Sequence, residues 1–134
     1  MSLVNVDGGE SLELQYLVNK ATPQNLVLCL YKNNITPAET DTIVTYTEAD
    51  FTGYANVNLT GANWTISGTA PTSAGYAQQS FTSSASAQNQ NVYGYFYKRA
   101  TGGELIIAER FSDGPYNIVN NGDVIKVTPT ITCD

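Results

Sequence analysis

Between Asn25 and Lys32 the chain reads Leu26-Val27-Leu28-Cys29-Leu30-Tyr31, apolar at every position and therefore on both parities of an extended backbone. A strand with one wet face alternates apolar with polar residues, whereas a run apolar on both parities is covered on both faces. The run is expected as a central strand, flanked and covered by later segments of the chain. Turn chemistry then recurs at close intervals: Asn33-Asn34, Thr36-Pro37-Ala38-Glu39, Thr60-Gly61, Ala100-Thr101-Gly102-Gly103, Asp113-Gly114-Pro115 and Asn120-Asn121-Gly122. Short strands between such signals, with one early helix, read as a single antiparallel β-sandwich or jelly-roll-like domain over residues 1–134.

The early helix is expected over residues 9–18, with acids in its opening turn and Leu14, Leu17 and Val18 on the face that packs against the sheet. Residues 33–50 form a long connection, in which Thr47-Glu48-Ala49-Asp50 has the spacing of a loose capping box and starts a single helical turn before Gly53. Residues 54–60 and 63–67 read as two strands of a hairpin, 76–81 as a polar edge strand, and 82–90 as an exposed loop. Strands over 91–99 and 104–111 flank the glycine-containing loop as an antiparallel hairpin. Asn121-Gly122 turns between strands 116–119 and 123–132, with positive φ expected at Gly122.

Charge and composition narrow the chemistry. Lys and Arg number 6 against 12 Asp and Glu, and Lys98-Arg99 is the one adjacent basic pair, so a phosphate-backbone binder is not expected. The chain has no histidine, which removes the usual general base and the usual transition-metal ligand. The two cysteines, Cys29 and Cys133, are too far apart in sequence for a CxxC site; Cys29 reads as a small buried apolar residue, with a Cys29–Cys133 disulfide as the alternative. The first ten residues lack an apolar leader and no stretch approaches about 18 apolar residues, so neither a signal-directed secreted protein nor a membrane span is expected.

The paired carboxylates are Glu39 and Asp41, Glu48 and Asp50, and Glu104 and Glu109. The first two pairs fall in loops, where solvated surface acids are the ordinary outcome, and Glu39 with Asp41 lacks the acid–glycine spacing of a calcium loop. No P-loop, GxGxxG, GxSxG or SxxK occurs, and the serines have no base beside them. No catalytic, cofactor-binding or metal residue is assigned, and no enzyme is expected. Three Asn-x-Thr sequons, at Asn34, Asn58 and Asn63, follow from a composition rich in Asn and Thr.

Tyr93, Tyr95 and Tyr97 fall on one parity of a strand, as a ladder that is either buried with its hydroxyls at the rim or presented to a protein partner. Nucleic-acid stacking would need interleaved cations, which are missing. Between Ser67 and Lys98 no charged residue occurs, and proteins usually guard free strand edges with charge or use them for pairing. Tyr76, Gln79, Phe81, Gln88, Tyr93, Tyr95 and Tyr97 are therefore the candidate interface residues, with a homo-oligomer as the simplest assembly.

Five stretches taken in order carry a family resemblance: Leu30-Tyr31-Lys32-Asn33-Asn34-Ile35-Thr36-Pro37, Thr47-Glu48-Ala49-Asp50-Phe51-Thr52-Gly53-Tyr54-Ala55, Val92-Tyr93-Gly94-Tyr95-Phe96, Glu109-Arg110-Phe111, and Gly122-Asp123-Val124-Ile125-Lys126-Val127-Thr128-Pro129. Over most of residues 12–132 the chain resembles small virion-associated structural proteins of tailed, marine and environmental bacteriophages. The resemblance implies a β-rich module of the phage particle, serving as head decoration, neck or tail component, located in the virion and bound to other virion proteins. It brings no catalytic motif. The expected function is thus non-enzymatic assembly without nucleic acid, membrane or cofactor. A carbohydrate- or receptor-binding adhesion module stands second, separated by whether Trp64 and the tyrosines line a shallow open groove.

Overall fold

The computed structural model describes residues 3–133. Among them are twelve strands, all paired antiparallel, and one α-helix, so the chain is mainly β and sandwich-like, with the early helix where it was expected. The principal sheet runs in the order β1 (Val4–Asn5), β9 (Leu105–Arg110), β8 (Gly94–Arg99), β2 (Leu26–Tyr31), β3 (Val57–Leu59). Three smaller sheets complete the fold: β10 (Tyr116–Ile118) with β7 (Gln90–Val92), β11 (Val124–Val127) with β6 (Gln79–Thr82), and β12 (Thr130–Cys133) with β5 (Thr72–Gly75) and β4 (Thr65–Ser67).

The apolar run of β2 explains its place. Leu28 is paired with Val57 on one side and Tyr97 on the other, so the strand has neighbours along both edges. Leu28 and Leu30 enter a core completed by Phe81, Val92, Ile118, Ile125 and Val127 from the smaller sheets. The opposite parity, Val27, Cys29 and Tyr31, packs with Ile35, Ile43 and Tyr46 of the long connection. Both faces of the strand are therefore dry. Arg110 fastens the start of that connection, donating to the Ile35 carbonyl at 2.7 Å and to Asn34 Oδ1 at 2.9 Å, with its guanidinium 5.1 Å from the centre of the Tyr93 ring.

The helix α1 (Asp7–Leu17) lies beside β9, but it presents a different face from the one its apolar triad suggests. Gly9 and Leu12 are buried, whereas Leu14, Leu17 and Val18 are 64%, 81% and 67% exposed. Gly9 sets this rotation: a Cβ there would press on the Ile106 carbonyl and stand 2.5 Å from Asn5 Oδ1, so the glycine side is the one that can approach the sheet. Pairing of Tyr97 with Ile107 and of Lys98 with Leu105 leaves Ile106 as the extra residue of a β-bulge, turned into the same core as Leu12.

Other local expectations are corrected by tertiary pairing. The helical turn of the connection is a 3₁₀ turn at Ile43–Thr45, earlier than Thr47; Glu48 instead bridges to Tyr31 in extended backbone. β3 and β4 do not form a hairpin, because β3 joins β2 while β4 joins β5. The segment 76–81 is split between the end of a connection and β6, and 91–99 is split between β7 and β8, which belong to different sheets. The loop after β6 is not wholly exposed: Ser83 is buried, and Gln88 Nε2 donates to Ser83 Oγ at 2.6 Å while its Oε1 accepts from Thr52 N. The hairpin of β8 and β9 forms as expected, with positive φ at Gly102 and Gly103. The Asn121-Gly122 turn and the positive φ of Gly122 are also as expected, but β10 and β11 pair with β7 and β6 and not with each other. Cys29 is buried and Cys133 exposed, both are free thiols, and the alternative disulfide does not form. No helix among the described residues is long and apolar enough to cross a membrane.

Candidate functional site

A concave surface lies where α1, β1 and β9 meet β12. Its inner part is an apolar hollow of about 250 Å³ walled by Leu12 and Tyr16 of α1, Leu59, Ile106, Ile131 and the half-buried indole of Trp64. Its outer part is a wider cleft of about 810 Å³, bounded by Asn5, Glu13, Tyr95, Glu109, Thr130 and Thr132. The two share Glu13, Ile107 and Ile131 as walls and so lie side by side along one groove.

Each side chain is placed by its element. Leu12 and Glu13 are neighbours on α1, the first buried and the second at the exposed rim. Ile107 and Glu109 are two apart on β9 and so share a face of the sheet. Tyr95 is the direct partner of Glu109 across β8 and β9, and its hydroxyl donates to Glu109 Oε2 at 3.1 Å. Asn5 of β1 donates through Nδ2 to Glu13 Oε1 at 3.0 Å, while its buried Oδ1, packed against Gly9, has no hydrogen-bond partner among the described residues. Among the described residues no Lys or Arg lines either part of the groove. Burial, then the neighbouring Tyr97 and Glu109, pushes the Tyr95 phenol upward, so at neutral pH it is a donor and not a base. The groove can thus accept an apolar group at one end and a cation or hydrogen-bond donor at the other.

Asp41, Glu48, Asp50, Glu104 and Glu109, paired by sequence, each have partners of their own. Glu104 pairs with Arg99 at 3.3 Å beside the glycine-containing loop, away from Glu109, whose partner is Tyr95. Asp41 accepts from Ala38 N at 2.9 Å and from the Tyr46 hydroxyl at 2.8 Å, which commits it to the connection. Burial pushes the Glu48 carboxyl up, but hydrogen bonds from Tyr54 and Asn56 and the Lys98 ammonium outweigh this and hold it below its ordinary range. Asp50 is lowered by Lys32, 2.7 Å away, and by Gln90. Among the described residues no group of three or more Asp, Glu or Cys side chains stands close enough to share a metal ion.

The seven candidate interface residues do not form one surface. Phe81, Tyr95 and Tyr97 are buried in the core. Tyr95 and Tyr97 meet edge to face at 5.7 Å, but Tyr93 precedes β8 and packs with the other cluster under Arg110, so the ladder has two members. Tyr76 is half-buried, meets Trp64 edge to face at 5.1 Å, and its hydroxyl accepts from Thr60 N. Gln79 and Gln88 are half-buried and hydrogen-bonded within the chain. Sequence reasoning did not single out Glu13 as a groove residue; its signal was an acid directly after Leu12, the inward residue of an amphipathic helix. Comparison with protein-family models, curated proteins and solved structures finds no match for the chain.

Proposed function

We propose that the chain is a non-enzymatic structural component of a phage particle, a head decoration, neck or tail part that acts through contacts with other virion proteins or copies of itself. The observation that carries the assembly reading is the outer face of α1, where Leu14 and Leu17 of the 11-residue helix and its C-cap residue Val18 stand exposed. Adjacent exposed apolar residues on an otherwise polar surface are what an unfilled protein contact looks like. The family resemblance over most of residues 12–132 supplies the particle, and the exposed, uncharged residues between 68 and 90 suit a surface that is covered on assembly.

An adhesion module receives less support. Trp64, Tyr16 and Tyr95 do line the groove, but sugar-binding platforms present aromatic faces to solvent, whereas Tyr95 and Tyr97 are buried and the half-buried Trp64 is met edge to face by Tyr76. Mass spectrometry of purified particles tests the reading: the chain is expected in a fixed copy number, reduced in particles assembled with Leu17→Lys. Absence of the unaltered chain from the particles would overturn it.

A further inference from the structure

The geometry points to the groove between β1 and β12 as the docking site for an extended segment of a partner protein bearing a bulky apolar side chain two residues from a lysine or arginine. The inference rests on the assembly reading and names the kind of segment that the assembled partner supplies. Three features of the groove converge on it.

The first is backbone. β12 is the outer strand of its sheet, paired with β5 alone, and β1 is the outer strand of the principal sheet, paired with β9 alone. The cleft is bounded by both, so an incoming strand meets edges that can extend it by main-chain hydrogen bonds. The second is the apolar hollow, whose walls of Leu12, Leu59, Trp64 and Ile131 fit one leucine- or phenylalanine-sized anchor. The third is charge. Glu13 and Glu109 line the adjoining cleft with no Lys or Arg beside them among the described residues, and the chain carries a net charge of −6. A cationic side chain supplies donors to those carboxylates and offsets their charge. In an extended segment, side chains of one parity point the same way, so an anchor in the hollow and a cation in the adjoining cleft share a parity, of which i and i+2 is the shortest spacing.

The probe is the peptide acetyl-Thr-Leu-Thr-Lys-Thr-amide, and the reporter is the emission of Trp64, the one tryptophan of the chain. Saturable change in that emission is expected, with amide shifts along β12, weakening with salt. The peptide with Glu in place of Lys, or Ser in place of Leu, is expected to bind about tenfold more weakly or not at all. The double variant Glu13→Gln/Glu109→Gln, near-isosteric and so still folded, should lose about tenfold in affinity for the lysine peptide. Thr132→Tyr, bulky and uncharged on an exposed position of the cleft, should block it while leaving both carboxylates unpaired with a cation. Equal response to the lysine and glutamate peptides, unchanged affinity in either variant, or no response to the lysine peptide would overturn the proposal. Its failure is distinguishable from failure of the assembly reading: the chain would still be found in particles, whereas peptide binding by a chain absent from particles would sink the phage assignment alone.

Discussion

At Gly94 the backbone leaves no room for a methyl group: a Cβ would meet the Glu109 carbonyl and come within 2.6 Å of the Tyr31 ring. Gly122 is glycine for another reason, since nothing lies within 4 Å of its would-be Cβ but its φ is +92°. Overpacking a core contact costs about 1–3 kcal/mol, while forcing a side chain into left-handed backbone costs about 1–2 kcal/mol. Gly94→Ala is therefore expected to destabilise by about 2–3 kcal/mol and Gly122→Ala by about 1 kcal/mol, read as shifts in urea midpoint at constant slope. A reversed order would contradict the close seating of β8 between β2 and β9. The second of these glycines was legible in the sequence, because Asn-Gly names its own backbone geometry. The first was not, because Tyr93-Gly94-Tyr95 looks like the interior of one strand until Tyr31 is laid against it.

The helix shows how an element's type can be legible while its orientation is not. Leu14, Leu17 and Val18 are its most apolar triad, yet Gly9, Leu12 and Tyr16 face inward, because the carbonyl of a bulged residue on β9 admits only a glycine. Leu12→Ala should cost about 2–4 kcal/mol, whereas Leu17→Gln should stay within about 0.5 kcal/mol of the parent and act on assembly alone; denaturant unfolding beside sedimentation of the particle-associated fraction separates the two. The same division holds for the strands. Turns are local chemistry and were readable at Gly102-Gly103 and Asn121-Gly122. Which strand each turn delivers its chain to is decided by distant faces seeking cover, so β10 and β11 part company after a well-marked turn. The groove was illegible for that reason: Asn5, Glu13, Trp64, Glu109 and Thr132 come from five separate places in the chain and meet only in the folded protein.

For the molecule as a whole, the absence of histidine leaves no side chain with an ordinary pKa inside about pH 5–8, so stability is expected to be flat across that window. It should fall on both sides. Glu48 is held below its ordinary range in the fold, so its contribution is complete above the unfolded carboxylate value and is lost as pH falls; Glu48→Gln should flatten this acid limb. Burial pushes the Tyr31 phenol up to about 12 and raises Tyr46, Tyr54, Tyr95 and Tyr97 as well. Groups raised in the fold contribute fully below their unfolded value of about 10 and lose that contribution as pH climbs past it. Tyrosinate absorbance should accordingly appear in step with loss of structure; free titration of those five phenols in an intact fold would contradict their burial. The passage from β7 to β8 has a further consequence. With Tyr93 alone between a strand of one sheet and a strand of another, the two sheets are joined by continuous backbone with no slack, and they are expected to open together. Amide hydrogens of Ile118 and Phe96, in different sheets, should then exchange with solvent through one common opening, leaving a protease no half-open form to cut.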